Sequence, residues 1–268
     1  MKKRIVLIDA DIDLFQITQQ NQQEIQWDED TITMTCDTQN ARIVFDAQVA
    51  GIMAKVSADD YILCLSGADN FRKTNFPTYK ANRKETRKPM GYKELKQHAI
   101  DNHPHKIYNT LEADDVMGIM STLNKNPEIE YVIHSDDKDM FTIPGLIWDR
   151  KIGKVTKTSE LEADRFLYKQ ILTGDVTDGY SGCPTIGKLK AATALNGCTS
   201  SDQMRSEVLK LYVKYYKFPE LAKEKMLEQA RQARILRSTD YNFKTKEVIL
   251  WNPWKEEDSG NNENRTKI

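Results

Sequence analysis

The sequence predicts an α/β protein whose C-terminal part is helical. Up to about residue 158, short apolar runs alternate with stretches of helical periodicity, the order typical of a largely parallel sheet flanked by helices. Beyond that point the apolar residues recur at helical spacing. We therefore predict a sheet-containing domain over 1–158, a helical region with a closing strand over 159–254, and a polar, disordered tail over 255–268.

Each element is predicted from its local pattern. Short apolar runs bounded by acids or turn residues indicate strands at 3–8, 61–65, 106–109, 131–134, 146–149 and 247–251, and alternation indicates a hairpin at 24–35. Helical periodicity indicates helices at 91–101, 112–123, 160–173, 188–195, 201–216 and 219–237, with a further helix that is capped by Asp37 or Thr38 and reaches Ala54. The basic, proline-containing segment after the second strand indicates a loop with short helical pieces. No internal repeat is present.

Composition excludes several classes of protein. No apolar run approaches the roughly 18 residues of a membrane span, and the apolar stretch from Ile5 to Ile8 is far too short for a signal peptide. No two of the four cysteines stand at C-x-x-C spacing, which argues against a zinc ribbon or a redox pair and favours a cytosolic protein with reduced thiols. The 39 basic and 40 acidic residues nearly cancel, so their distribution is more informative than the net charge of −1.

The acidic residues form four clusters near the predicted ends of strands and helices. These are Asp9/Asp11, Glu112/Asp114/Asp115, Asp136/Asp137/Asp139 and Asp175/Asp178. Residues two apart on an extended segment point the same way, so we expect Asp9 to aim with Asp11 and Asp137 with Asp139. Converging carboxylates repel one another unless cations hold them together, and oxygen ligands select Mg²⁺ or Mn²⁺ over Zn²⁺. Two such ions are a standard means of hydrolysing a phosphodiester. The alternative is that these clusters lie in solvated loops or at helix N-termini, where the helix dipole alone favours carboxylates.

Two further segments suit nucleic-acid binding. From Arg72 to Lys88 there are seven basic residues and one acid, interleaved with aromatic residues. The candidate phosphate-binding residues are Arg72, Lys80, Arg83 and Lys84, and Tyr79 is a candidate for stacking on an unpaired base. The alternative is an exposed basic loop with its phenylalanines in the core. In the glycine-rich stretch that follows 173, Gly182 and Gly187 are expected to bring backbone amides near a ligand, and Lys188 opens a helix, which suits a duplex phosphate or a monovalent cation.

Together these pieces resemble the 5′-nuclease superfamily of flap endonucleases and 5′→3′ exonucleases. The resemblance is strongest to the double-strand-specific exonucleases of short-tailed bacteriophages. It is carried by LIDAD at 7–11, NFRK with PTYKANR at 70–83, EADDVMG at 112–118, SDDKD at 135–139 and GDVTDGYSG at 174–182, with ARILR and YNF near the C-terminus. These motifs stand in the family's order, and the resemblance runs from about residue 4 to about residue 252.

The resemblance implies a PIN-like nuclease core followed by a helix-hairpin-helix region. It implies a 5′→3′ exodeoxyribonuclease or flap endonuclease that uses two Mg²⁺ ions, with Mn²⁺ as a substitute, on duplex DNA with 5′ ends or flaps and on RNA–DNA hybrids. The implied metal ligands are Asp9, Glu112, Asp114, Asp115, Asp137, Asp139, Asp175 and Asp178. Lys80 and Arg83 match the residues that grip the scissile phosphate, and the run from Gly182 to Lys188 matches the duplex-binding hairpin with its K⁺ site. Phage replication proteins are implied as partners, in the cytoplasm of a host bacterium.

Three positions depart from the family pattern. Gly67 stands after the second strand where the family has an aspartate, so that ligand is missing unless Asp69 replaces it. Asp11 stands where many relatives have a small polar residue, which leaves its role as a ligand open. Thr185 replaces the middle glycine of the hairpin, which puts the K⁺ site in question.

Two other functions stay open at this point. One is a PIN-type ribonuclease acting on RNA, which the hairpin and the 79–83 run argue against. The other is a nucleic-acid-binding module with a decayed catalytic site, which Gly67 favours and the remaining carboxylates disfavour. The motifs leave the biological role open among primer removal, recombination and breakdown of host DNA.

Overall fold

The computed structural model describes residues 2–83, 87–123 and 126–254, so Lys84 and the predicted tail 255–268 lie outside it. The chain forms two compact units. Unit 1 comprises Met1–Asp69, Glu85–Lys138 and Leu146–Lys157, and unit 2 comprises Asn70–Lys84, Asp139–Gly145 and Thr158–Ile268. This division is more interleaved than one boundary at 158, because two earlier segments group with the C-terminal helices.

The strands and helices alternate along the first half of the chain as predicted. The strands are β1 Lys3–Asp9, β2 Gln22–Gln26, β3 Ile32–Cys36, β4 Asp60–Ser66, β5 His105–Tyr108, β6 Ile129–His134, β7 Gly145–Asp149, β8 Lys154–Thr158, β9 Tyr241–Asn242 and β10 Glu247–Val248. The helices are α1 Ala10–Gln20, α2 Thr38–Val56, α3 Phe71–Asn75, α4 Tyr92–Asn102, α5 Ala113–Thr122, α6 Glu160–Thr173, α7 Lys188–Leu195, α8 Ser201–Tyr216 and α9 Pro219–Ala233.

A six-stranded sheet in the order β5-β4-β1-β6-β7-β8 forms the centre of the α/β architecture. The β5–β4, β4–β1, β1–β6 and β6–β7 pairs are all parallel. Because β1 has a neighbour on each side, its carboxyl end lies at the middle of one sheet edge, where parallel α/β sheets place their functional groups. The mostly parallel sheet flanked by helices is confirmed.

The core of unit 1 lies between the central strands and the helices. Ile8, Phe45, Leu63 and Val132 are fully buried in it. Burying side chains of this size contributes about 1.5–3 kcal/mol each relative to exposure, which is what the continuous apolar runs of these strands supply. The predicted cap of α2 is confirmed, since the Asp37 side chain accepts from the backbone N–H of Asn40 at 2.9 Å.

Two elements of this half were not predicted. α1 begins directly after β1, and its buried Leu14 and Ile17 face the core with helical spacing. β8 follows β7 after a short turn and carries alternating, mostly polar residues, so its sequence lacks the apolar run that marks the other strands.

Unit 2 is built mainly of helices. Ser159 caps α6 in a capping box with Glu162, as the S-x-x-E spacing dictates. The buried Tyr212 of α8 donates from its hydroxyl to the carbonyl of Ile171 at 2.7 Å, so it is a packing residue. α9 ends at Ala233, four residues before the predicted end, and the predicted strand at 247–251 is reduced to a two-residue pairing of β10 with β9. Among the described residues, no helix has both the length and the apolar character needed to cross a membrane.

Candidate functional site

A cluster of carboxylates stands at the carboxyl end of β1 in unit 1. Asp9 is the last residue of β1 and is only 4% exposed. Its Oδ2 accepts a hydrogen bond from the Ser135 hydroxyl at 2.7 Å, and the same hydroxyl accepts from the backbone N–H of Asp137 at 3.1 Å. The end of β1 and the segment after β6 are thus joined through one serine of the SDDKD motif.

The negative charges of the carboxylates in this cluster repel one another. Burial raises the pKa of Asp9 well above its usual range; the Ser135 hydrogen bond opposes that shift, and the charges of Asp11 and Asp13 add to it. Burial also raises the pKa of Asp13 to about 7, with a further contribution from the charge of Asp136. A buried carboxylate with like-charged neighbours is unfavourable unless a cation neutralises it. The donor set is all oxygen, which fits a hard divalent ion.

Asp11 does not sit on an extended segment with Asp9, and this corrects the predicted pairing. α1 already begins at Ala10, so the chain turns between the two aspartates. The Asp11 carboxylate accepts from the backbone N–H of Ser66 at 2.8 Å and from the Tyr92 hydroxyl at 3.3 Å. Asp11 therefore fixes the end of β4 and the start of α4.

The second acidic cluster of unit 1 forms the start of α5. Glu112 is the N-cap residue, and its backbone N–H donates to the Asp115 carboxylate at 3.4 Å. Part of this cluster therefore serves the helix N-terminus, as the dipole-based alternative expects. Burial raises the pKa of the Cys64 thiol, and the charges of Asp9, Asp11 and Asp114 raise it further. The charges of carboxylates from β1, α1 and α5 thus all raise the pKa of the same buried thiol.

The position after β4 has no room for a side chain. A Cβ atom on Gly67 would lie 2.2 Å from the carbonyl oxygen of Asn109 and 2.3 Å from that of Tyr108. Asp69 lies two residues further on, where its carboxylate accepts from the Asn109 side-chain amide at 3.4 Å. An aspartate side chain therefore does not fit at position 67 on this local backbone.

A cavity of about 390 Å³ opens beside Asp11 in unit 1. Two lysines, Lys88 and Lys96, line it together with Tyr92, and the Lys96 ammonium donates to the Ser66 carbonyl at 3.0 Å. The two cations next to carboxylates suit a nucleotide phosphate, whereas Tyr92 is only 5% exposed and its ring packs against Lys88. These three residues are not among the predicted site residues, although the i, i+4 spacing of Tyr92 and Lys96 places them on one face of a helix.

Unit 2 carries its own acidic cluster, formed by Asp139, Asp175 and Asp178. Asp139 lies in a 3₁₀ turn over Lys138–Thr142, which corrects the expectation that it extends in line with Asp137. Its carboxylate accepts from the Gln170 side chain at 2.7 Å. Burial raises the pKa of Tyr180, and the charges of all three aspartates raise it further. The three carboxylates therefore lie near one buried tyrosine.

The basic residues of the 79–83 run contact this cluster through Asp178. The Arg83 guanidinium lies 2.9 Å from the Asp178 carboxylate, the Lys80 ammonium 3.8 Å from it, and the Tyr79 hydroxyl donates to it at 3.4 Å. The backbone N–H of Lys80 also donates to the Asp178 carbonyl at 2.8 Å. Lys80 has a φ of 50°, a left-handed conformation that a lysine adopts only where its surroundings hold it.

Two predicted nucleic-acid contacts are buried in unit 2. Arg72 is 2% exposed and donates to the Arg234 carbonyl at 2.5 Å, and its guanidinium lies 4.6 Å from the centre of the Phe71 ring. Tyr79 is 4% exposed. This burial does not favour the predicted contacts of Arg72 with a phosphate and of Tyr79 with a base, and it supports packing roles for both.

The glycine-rich connection between α6 and α7 is used in two ways. Gly182 is buried, has a φ of 70°, and donates its N–H to the Gln229 side chain at 2.7 Å. We predicted that this amide faces a ligand, but it faces the protein interior instead. Gly187 is exposed and forms the N-cap of α7, with the exposed Lys188 as the first helical residue. The Lys190 ammonium donates to the Thr185 carbonyl at 3.0 Å, which places a cation at the hairpin turn.

Comparison with known proteins places this arrangement in context. The family model described as "5′-3′ exonuclease, N-terminal resolvase-like domain" matches residues 4–166. The chain is 30% identical to the exonuclease of Escherichia phage T7 over 94% of each protein. It is 28% identical to the exodeoxyribonuclease of Enterobacteria phage T3 over 94% of this chain and 93% of that protein. A solved T5 5′-exonuclease with bound divalent metal ions (zinc) is similar in fold, with a TM-score of 0.53 and 13% identity over 85% of this chain and all of that one.

Proposed function

Since the chain belongs to the 5′–3′ exonuclease family, we propose that it hydrolyses phosphodiester bonds of duplex DNA from 5′ ends in a reaction that requires divalent cations. The observation that carries the proposal is the buried, mutually repelling carboxylate cluster around Asp9 at the carboxyl end of β1. Such a cluster is unfavourable for a binding module and useful to an enzyme that loads cations. DNA flaps and the RNA strand of RNA–DNA hybrids are proposed as further substrates.

Each unit supplies ligands for one ion in this proposal. In unit 1, one Mg²⁺ would be held by Asp9, Glu112, Asp114, Asp115 and Asp137. In unit 2, a second would be held by Asp139, Asp175 and Asp178. When bound, such ions acidify water and neutralise charge on the phosphate oxygens. Mn²⁺ substitutes because it accepts the same oxygen ligands.

The chain's own cations act on the phosphate. Lys80 and Arg83 contact the Asp178 carboxylate, and with Asp178 neutralised by a cation both would be available to stabilise the negative charge that develops on the scissile phosphate. The Arg83 side chain is 47% exposed and can turn towards a substrate. In the reaction, a water oxygen bonds to phosphorus, the bond from phosphorus to the leaving oxygen breaks, and the leaving oxygen takes up a proton.

We assign duplex binding to contacts between the protein and the sugar–phosphate backbone of the DNA. The N-terminus of α7, with Gly187 and Lys188 exposed, offers amides and a positive charge to a phosphate. Contacts of this kind position DNA without reading its sequence, so sequence preference is expected to be weak. The proposal places the reaction in the cytoplasm of an infected bacterium, alongside phage replication proteins.

The substitution Asp137→Asn tests the metal-dependent chemistry. We expect it to remove most turnover in Mg²⁺ while duplex binding, measured in Ca²⁺ by fluorescence anisotropy, is retained. Asp101→Asn, an exposed aspartate on α4, is the matched control and leaves both quantities unchanged. Normal turnover by the Asp137→Asn variant would contradict the proposed metal site. Binding of duplex by the parent protein without any cleavage in Mg²⁺ or Mn²⁺ would favour a binding module.

A further inference from the structure

A second group of metal-ligand side chains lies in unit 1, and none of its members belongs to the carboxylate cluster. Asp46 stands on α2, His98 on α4, and His103 directly after α4. Both histidine Nε2 atoms contact the same carboxylate oxygen, at 2.8 Å from His98 and 3.0 Å from His103. One ligand atom from each of the three residues lies within 4.8 Å of the other two.

The far sides of both imidazoles are held in place. The Nδ1 atom of His103 lies 2.9 Å from the Tyr61 hydroxyl, and the ring packs edge-on against Phe45 with centroids 5.5 Å apart. The Nδ1 atom of His98 lies 3.2 Å from the side-chain amide of Asn102. Hydrogen-bond partners behind the ring nitrogen are what orient histidine ligands in metal sites. The Tyr61 hydroxyl can donate or accept, so it supports either tautomer of His103. The Asn102 atom next to His98 is Nδ2, which donates and also contacts the His98 carbonyl at 2.9 Å, so the Nδ1–H tautomer of His98 requires the Asn102 amide to rotate and present its oxygen.

Exposure matches a site that opens towards solvent. The side chains of His98 and His103 are 15% and 9% exposed, whereas that of Asp46 is 49% exposed. An ion can therefore enter past the carboxylate and find both imidazoles already placed. A fourth ligand position is left to water.

Two of the three distances between ligand atoms are close to those of a tetrahedral site. Bonds of about 2.0–2.2 Å to nitrogen and oxygen ligands put neighbouring ligand atoms about 3.3 Å apart. The observed contacts of 2.8 and 3.0 Å need to widen by only about 0.3–0.5 Å. The half-exposed Asp46 side chain can make that movement alone. Two imidazoles and one carboxylate favour a borderline ion such as Zn²⁺, whereas Mg²⁺ prefers oxygen ligands.

We propose that Asp46, His98 and His103 bind one Zn²⁺ or a similar transition-metal ion, and that this ion joins α2 to α4. The ion replaces the two Nε2–H hydrogen bonds to Asp46 with two Nε2–metal bonds and one carboxylate–metal bond. The proton of each neutral imidazole moves to Nδ1, where the Tyr61 hydroxyl accepts from His103 and the Asn102 amide, after rotating to present its oxygen, accepts from His98. The bound ion is a structural clamp on unit 1 and is distinct from the Mg²⁺ ions assigned to the nuclease.

The test uses the full chain without a histidine tag, stripped of metal and kept in excess Mg²⁺ to fill the oxygen-ligand sites. Titration with Co²⁺ should give visible absorption bands for one equivalent bound through nitrogen ligands. Zn²⁺ should displace this Co²⁺ and raise the melting temperature. Asp46→Asn and His98→Gln should each weaken Zn²⁺ binding at least ten-fold, which is the lower end of the effect expected from losing even an outer partner. His105→Gln, an exposed histidine outside the group, is the matched control and should bind as the parent does.

Two results would overturn the proposal. One is a parent protein that takes up no Co²⁺ or Zn²⁺ when Mg²⁺ is in excess. The other is equal Zn²⁺ affinity in the parent, Asp46→Asn and His98→Gln proteins, which would leave the three residues as a hydrogen-bonded network only. Circular dichroism of each variant without Zn²⁺ separates a lost site from a lost fold. Because the variants leave the nuclease carboxylates intact, failure here would not bear on the proposed hydrolysis.

Discussion

The position after β4 gives a sharp prediction about why this chain has glycine at residue 67. The perturbations are Gly67→Ala and Gly67→Asp, the second of which restores the aspartate that the family pattern has here. If the backbone excludes any side chain, both variants destabilise the protein. Gly67→Asp then also fails to raise nuclease activity, because its carboxylate cannot occupy a productive position.

The magnitude follows from the contacts of the added atom. The nearest neighbours of a Cβ atom at 67 are backbone carbonyl oxygens at 2.2 and 2.3 Å, which cannot move aside as a flexible side chain does. Forcing extra volume into a packed region costs about 1–3 kcal/mol. Gly51 offers a matched control within α2, since its Cβ would meet nothing within 4 Å. Glycine to alanine there should stabilise the helix by about 0.5–1 kcal/mol.

The assay is equilibrium unfolding in urea, followed by far-UV circular dichroism in Mg²⁺. Gly67→Ala should lower and Gly51→Ala should raise the free energy of unfolding, and the two variants should differ by about 1.5–4 kcal/mol with similar slopes. A Gly67→Ala protein as stable as the parent would refute the steric argument. A Gly67→Asp protein more active than the parent would show that the family's ligand position is available after all.

The other predictions concern charge. The raised pKa of Asp13, about 7 against 3.8, means that the folded state binds more protons than the unfolded state between these values, so metal-free stability falls as pH rises through that window. Asp13→Asn should therefore stabilise the EDTA-treated protein at pH 8 by up to about 4 kcal/mol and have little effect near pH 4, measured by urea unfolding at both pH values. Arg83→Gln should lower turnover by about 10²–10³-fold without weakening Mg²⁺ binding, since Arg83 competes with the ion for Asp178; weaker Mg²⁺ binding in calorimetry would contradict this. Because Lys190 already donates to the Thr185 carbonyl, exchanging K⁺ for Na⁺ should leave duplex affinity unchanged, and a clear preference for K⁺ in anisotropy titrations would show a cation site at the hairpin.

Most of the sheet was predictable because its central strands are buried on both faces and appear as continuous apolar runs. The strand β1, from Lys3 to Asp9, is the clearest case. α1 was missed because its first residues are the acids that end the β1 motif, although Leu14 and Ile17 repeat at helical spacing. Missing that helix led directly to the wrong orientation for Asp11.

The candidate site shows a similar limit. Motif order placed the acidic and basic residues in the sequence, yet Arg72 and Tyr79 look equally suited to nucleic acid until their burial is known. The partner of the Gly182 amide is Gln229, 47 residues away, and no local pattern reveals such a long-range contact. No local pattern marks the histidine group either, because Asp46 is distant in sequence from His98 and His103.

The central claim is that this chain removes nucleotides from 5′ ends with the help of divalent cations. The most direct measurement follows linear duplex DNA labelled at its 5′ or 3′ ends, in Mg²⁺ and in EDTA. Early release of the 5′ label as mononucleotides or short oligonucleotides, in Mg²⁺ only, is the predicted result. Earlier loss of the 3′ label, equal cleavage in EDTA, or intact DNA in both Mg²⁺ and Mn²⁺ despite binding would contradict the claim.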